Sequence, residues 1–340
     1  MTVSKSVARP AADEASQPGR GNANRRRLPG GAMVWVLVAL ILAAIVLSKG
    51  VFVRPSNLTT VLYQISVVGV LAMAQAFAVI SKGLDLSLGA TAILAALVIG
   101  DSSSADPQFL PHLPLPLAIV AGLVVGLVVG VVNGVIAGRT PVPPFIITLS
   151  TYLVIVGVTF MITQGAPVTQ PDQLLKDLGD ARVWILPVPV LLWFALIVVG
   201  HLVLSRTKQG AMLYSVGGNE TAARLSGVPV ARIKMFVYGA AGVFAAAAGL
   251  LFLARTGSVS PSAGSEFMLM SLAAVVVGGI PLSGGQGKIK DVVLGVLILG
   301  IAGNLMNLML ISPYLQMAVQ GAIILLAVGA NQRLAHGRGQ

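Results

Sequence analysis

Asp85 is the acidic side chain that stands nearest the middle of a long apolar stretch; Glu266 and Asp291 stand at the ends of such stretches. A carboxylate at the centre of a bilayer costs about 3 kcal/mol even on lenient scales, so an acid there is a functional candidate by default. Lys82, three residues earlier, is spaced to pair with it. Asp85 or Ser87 also suits the cap of the apolar run that follows. A structural cap or a gate hinge is favoured over contact with a cargo. Further polar side chains interrupt other apolar runs: Gln64, Gln75, Asn133, Thr148, Ser150, Thr151, Asn304, Asn307, Gln316 and Gln320. Amides and hydroxyls without an intramembrane Arg suit a neutral polyol, which needs hydrogen-bonding partners rather than counter-charges. Hydrogen bonds between helices explain the same residues equally well. The candidates for a translocation path or gate are Asp85, Ser87, Gln75, Asn133, Thr148, Asn304 and Asn307.

No catalytic set emerges. Cysteine is absent, which removes disulfides, thiolate metal sites and thiol catalysis. His112, His201 and His336 are scattered without metal-ligand spacing, and no Ser/His/Asp arrangement can be drawn.

The elements that must hold these residues are helices in lipid. Only 10% of residues are charged, and the mean hydropathy is +0.91. About 20 apolar residues of helix cross a hydrocarbon core, and the runs here are too long and too continuous for alternating barrel strands. The expected fold is all-α: a polytopic transmembrane helical bundle of about ten spans, near 32–47, 58–80, 88–100, 117–137, 145–163, 187–204, 235–254, 266–279, 292–310 and 314–329. Spans three and eight are short enough to be broken or re-entrant. Residues 1–31 read as a disordered basic cytoplasmic tail, 32–331 as one membrane domain and 332–340 as a second short tail. The net charge of +11 points to topology rather than nucleic acid, because Lys and Arg collect in alternate loops. Arg25, Arg26 and Arg27 precede the first span, which reads as uncleaved. The loop at 205–234 is basic, whereas the loop at 101–116 and the segment at 164–186 carry most of the Asp. Both termini are therefore expected inside. Gly122, Gly126, Gly130, Gly134 and Gly138 recur every four residues, a stripe that lets helix backbones pack closely.

Within 205–234, the stretch Asn219-Glu220-Thr221-Ala222-Ala223-Arg224-Leu225-Ser226-Gly227 predicts a short helix outside the lipid. Asn219 caps it, Gly227 ends it and Pro229 delays the next one. So short a helix is unstable alone in water. It must dock, either on its own bundle or on a partner.

Three motifs occur in order: Gly83-Leu84-Asp85-Leu86-Ser87-x-Gly89, Gly217-Gly218-Asn219-Glu220-x-Ala222-Ala223-x-x-Ser226-Gly227, and Gly278-Gly279-x-x-Leu282-x-Gly284-Gly285-x-Gly287. Together they resemble the membrane (permease) subunit of ribose/xylose/galactose-type ABC sugar importers, from about the second span to the last. The resemblance implies that Gly218, Asn219, Glu220, Ala222, Ala223, Arg224 and Gly227 form the loop that couples to a cytoplasmic ATPase. The acidic residue sits at Glu220, one position earlier than in other importer classes. It further implies a second permease copy or close paralogue, an extracytoplasmic sugar-binding protein and Mg-ATP on the partner ATPase, with no cofactor on this chain.

Leu282-Ser283-Gly284-Gly285-Gln286 spells the signature pentapeptide of ABC ATPases, here by coincidence. The Walker pattern is missing, since Leu282 and Ile289 stand where it needs Gly and a hydroxyl. Two rivals remain: a permease for branched-chain amino acids or nucleosides, and an ion-coupled secondary transporter. For branched-chain amino acids, the first requires a site for the charged ends of the substrate. The second requires carboxylates inside the bundle, for which Asp85 is the one candidate.

Overall fold

The computed structural model describes residues 30–169, 171–184 and 186–336. The expectations for 1–29 and 337–340 lie outside the described residues. Thirteen helices are described: α1 Gly30–Leu47, α2 Pro55–Ile80, α3 Leu88–Ser103, α4 Leu115–Arg139, α5 Pro144–Thr163, α6 Gln173–Asp180, α7 Val188–Arg206, α8 Lys208–Gly218, α9 Glu220–Leu225, α10 Val230–Thr256, α11 Gly264–Val277, α12 Ile289–Leu308 and α13 Pro313–His336. Six of them (α2, α4, α5, α7, α10 and α12) are long and apolar enough to cross a membrane. Shorter apolar helices lie at Met33–Leu47, Leu88–Ser103 and Pro261–Val277. The chain is a polytopic helical membrane protein.

Proline sets several starts. Pro55 and Pro144 occupy the first position of α2 and α5, where a missing N–H removes no helical bond. α10 stops at Gly257, whose left-handed backbone (φ +65°) turns its N–H back to the Leu253 carbonyl.

α2 and α10 form the centre, and α4, α5 and α7 lie outside them. α4 and α10 share the most extensive packing in the bundle. The glycine stripe lies in that seam: a methyl group at Gly126 would strike the backbone of Gly242, one at Gly130 the Tyr238 carbonyl, and one at Gly134 the Met235 and Lys234 backbone. Gly122, at the other end of the stripe, faces α3 through Ile99. Close backbone approach replaces the hydrophobic drive that lipid cannot supply.

Two features depart from the all-helical expectation. Short strands β1 (Val168–Thr169) and β4 (Ser258–Val259) pair antiparallel, and β2 (Arg182–Val183) pairs with β3 (Leu186–Pro187). These ladders satisfy backbone groups in segments that leave the bundle, where two-residue strands give no readable periodicity. α8 also fills what reads as loop. Thr207 accepts from the Gly210 amide and starts it one residue after α7 ends. α6 matches the polar segment at 164–186; Asp172 caps it by accepting from the Leu174 amide, and Tyr63 donates to its Gly179 carbonyl (2.6 Å).

Gly126→Val should separate α4 from α10 and lower stability by about 1–3 kcal/mol or more. Gly303→Ala, at a position with nothing within 4 Å, should be close to neutral. Thermal unfolding of the two variants in nanodiscs checks the contrast.

Candidate functional site

The three sequence motifs, each distant from the others in the chain, meet at the end of the bundle where α2 stops and α10 starts. The Gly285 amide donates to the Ile80 carbonyl (2.7 Å). Gly285 (φ +71°) packs on Gly217 and Gly218, and Gly284 (φ +78°) packs on Lys82, itself left-handed (φ 63°). The Tyr214 hydroxyl of α8 donates to the Gly287 carbonyl (2.7 Å). Side chains at Gly217 or Gly285 would drive these backbones apart. The Leu282–Gln286 pentapeptide is thus a packing turn that clamps the end of α2 to the end of α8.

α9 hangs from this clamp. Asn219 accepts from the Ala222 amide (3.0 Å), and Gly227 (φ +79°) closes the helix with its N–H on the Arg224 carbonyl (3.1 Å). Glu220 bonds Lys234 of α10 (2.8 Å) and Arg224 one turn on (3.2 Å). Lys234 also donates to the Ala137 carbonyl in the last turn of α4 (3.2 Å). One carboxylate therefore pins α9 to α10, and one ammonium joins α10 to α4. Ala223 is buried against the bundle, while Thr221, Ala222, Arg224, Ser226 and Gly227 face outward and Leu225 is 85% exposed.

Inside the clamp, the turn from Ser81 to Ser87 dips back into the bundle. Ser87 donates both its amide (2.9 Å) and its hydroxyl (2.6 Å) to Asp85 Oδ1. Asn133 of α4 donates to Ser87 Oγ (3.0 Å), and Thr151 of α5 donates to Asn133 Oδ1 (2.6 Å). Thr148 Oγ1 accepts from the Leu86 amide (3.1 Å) and lies 3.0 Å from the Leu84 carbonyl and 3.1 Å from the Pro144 carbonyl. Asp85, Ser87, Asn133 and Thr148 are all buried. Asn133 lies six residues from the end of α4, on the order of 10 Å along the axis. The network ties the α3 entry to α4 and α5 at that depth.

Lys82 does not pair with Asp85: among the described residues both ion pairs are on Glu220, and Asp85 accepts from Ser87 instead. Nor does the Ser87 side chain cap α3, because its hydroxyl is spent on Asp85 and Asn133. The other amide candidates lie elsewhere. Asn304 exchanges hydrogen bonds with Asn57 (3.0 and 2.9 Å), joining α12 to α2 at the opposite end. Asn307 is exposed and accepts from Gln316 (2.8 Å) across the α12–α13 turn. Gln75 is buried in α2, and its amide has no partner among the described residues. Lys234 was not singled out from the sequence. A single Lys near a helix start gives no signal that it faces inward, although its 14-residue separation from Glu220 spans a helix, a turn and the next helix start.

The family model described as "Branched-chain amino acid transport system / permease component" matches residues 57–328. The chain is 38% identical to the ribose import permease protein RbsC of Bacillus subtilis over 82% of its length and 85% of the relative's. It is 32% identical to the fructose import permease protein FrcC of Rhizobium meliloti over 89% and 85% of the two chains. It is 37% identical to the L-arabinose transport system permease protein AraH of Escherichia coli over 78% and 79%. No solved structure matches the chain.

Ser87→Ala leaves Asp85 and the Asn133 amide each short of a buried partner, a loss of about 1–3 kcal/mol. Ser150→Ala, whose hydroxyl bonds only its own helix at Ile146 (2.9 Å), should change stability little. Unfolding midpoints of both variants measure the difference.

Proposed function

The chain belongs to the ABC-importer permease family whose model covers residues 57–328, and from that premise we propose that it forms the transmembrane path for a monosaccharide or related polyol. The relatives named for ribose, fructose and arabinose support the substrate class. The bundle interior supports it as well, because its polar groups are largely hydroxyls and amides. Asp85 alone is a poor receptor for the paired charges of an amino acid, so the amino-acid reading is not favoured. An ion-coupled transporter is disfavoured on similar grounds: Asp85 is held by Ser87 within a closed hydrogen-bonded turn.

In this reading the protein is a multi-pass subunit of the bacterial plasma membrane with about ten spans and both termini inside. The six long helices are supplemented by the three shorter apolar ones, in α1, α3 and α11, and by α13. The end carrying Arg139, Arg206, Lys208, Arg224, Arg232 and Lys234 faces the cytoplasm. The end carrying Asp101, Asp106, Asp172, Asp177 and Asp180 faces out and receives an extracytoplasmic sugar-binding protein. A second copy or a close paralogue completes the path. Mg-ATP is bound and hydrolysed by a partner ATPase, and this chain catalyses nothing.

The observation that carries the reading is the pinned, outward-facing α9. A helix of six residues gains no stability of its own, yet its anchor is built from charged groups on α9, α10 and the α4 carbonyl terminus. The ATPase seats on Leu225 and its exposed neighbours. A push on α9 passes through Glu220–Lys234 to α10 and α4, and through Gly217–Gly285–Ile80 to the turn holding Asp85. From there the Ser87–Asn133–Thr151 chain carries it to α5. Coupling of this kind is carried by contiguous packed and hydrogen-bonded groups.

Glu220→Lys should abolish ATP-driven sugar uptake in vesicles while leaving membrane insertion intact, because two ammonium groups then face each other. The double variant with Lys234→Glu should recover uptake if the pair works as an internal anchor. Leu225→Asp should leave the anchor untouched and lose co-purification of the ATPase. Uptake by the chain alone, driven by a proton or sodium gradient without ATP, would overturn the proposal.

A further inference from the structure

A cleft of about 420 Å³ lies between α7 and α12, lined by Ile197, His201, Ile289, Lys290, Val293 and Leu294. Next to it Gly200, lacking a side chain, lets Ile289 and Met73 approach α7 closely. The walls are aliphatic, with Ile197 and His201 one turn apart on α7 and Ile289, Lys290, Val293 and Leu294 on the first two turns of α12. Val198 and Leu202, beside it on α7, are about half exposed, so the cleft opens among side chains that face hydrocarbon. Its polar groups gather at one end. Lys290 is exposed in the first turn of α12. His201 is exposed across from it, one turn before Arg206 ends α7. Asp291, next to Lys290, turns its carboxylate back to the Lys288 amide (2.9 Å). Between Asp180 and Glu220 the chain carries no acid, while Arg206 and Lys208 add positive charge at the same end.

We propose that this cleft binds one anionic phospholipid, with the headgroup phosphate on Lys290 beside His201 and an acyl chain lying along Val293, Leu294 and Ile197. The occupant must be amphiphilic because the charged rim and the aliphatic trough are continuous. A soluble anion gains nothing from the trough, and a neutral lipid gains little from the rim. The leaflet is the one on the side of α8 and α9, so the bound lipid sits next to the clamp at Gly285–Gly287. The proposal does not depend on the cargo or on ATP coupling.

The test is native mass spectrometry of the full-length chain taken from nanodiscs of phosphatidylethanolamine with graded phosphatidylglycerol. The wild type should retain one phosphatidylglycerol per chain with about fivefold preference over phosphatidylethanolamine, the selectivity expected of one basic residue at a membrane surface. Lys290→Glu should erase that preference and Lys290→Arg keep it. Val293→Trp, which fills the trough, should remove the retained lipid of either kind. Excess inorganic phosphate should not displace it. Equal retention of the two lipids by the wild type, an unchanged preference in Lys290→Glu, or displacement by phosphate would overturn the assignment. Lys290 is exposed, so unfolding midpoints of the Lys290 variants should match the wild type and exclude misfolding as the cause.

Discussion

Backbone touching backbone along the α4–α10 seam is the constraint on which the rest of the molecule depends. In lipid, apolar side chains gain little by leaving one hydrocarbon for another, so helices associate through close packing and interhelical hydrogen bonds. Gly126 against Gly242 and Gly130 against the Tyr238 carbonyl set the distance between the two helices. That distance places Lys234 within reach of the Ala137 carbonyl. It also holds Asn133 of α4 where the turn after α2 delivers Ser87. A wider seam would break both linkages at once.

The two ends of the bundle are built on different physics. The α9 end is joined by glycine turns in left-handed backbone and by charge-assisted bonds, which are directional and short. The opposite end is joined by strand pairs, by the Tyr63 bond to α6 and by Arg255 lying over the Tyr63 ring at 5.5 Å.

The buried polar residues divide by what they hold. Asp85, Ser87, Asn133 and Thr151 form one hydrogen-bonded chain across the turn, α4 and α5, and Thr148 joins it through the Leu84 and Leu86 backbone. Asn304 and Asn57 serve a separate helix pair, and Asn307 serves a surface turn. A polar residue in an apolar run is thus no single signal: its meaning depends on which helix faces it, and three of the seven path candidates do not join the network.

Much of the molecule was legible in its sequence because the responsible forces are local. Span lengths follow from hydropathy, α9 from Asn219, Gly227 and the alanines between them, and the packing stripe from glycine periodicity. Family resemblance also rested on three local motifs. Those motifs lie some 130 and 60 residues apart, and nothing in their spacing tells that Gly285 seats on Ile80 and Gly217. α8 escaped notice because its amphipathic stretch follows α7 after a single residue. The spacing pairs Asp85 with Lys82, three residues away; in the fold its partner is Ser87. Sequence alone indicated which segments are long and apolar enough to cross a membrane and how α9 is capped, because solvation and capping act on neighbours in the chain. Only the tertiary structure settled which polar groups share a network, because hydrogen bonds within about 3 Å depend on helix separations that distant glycines set.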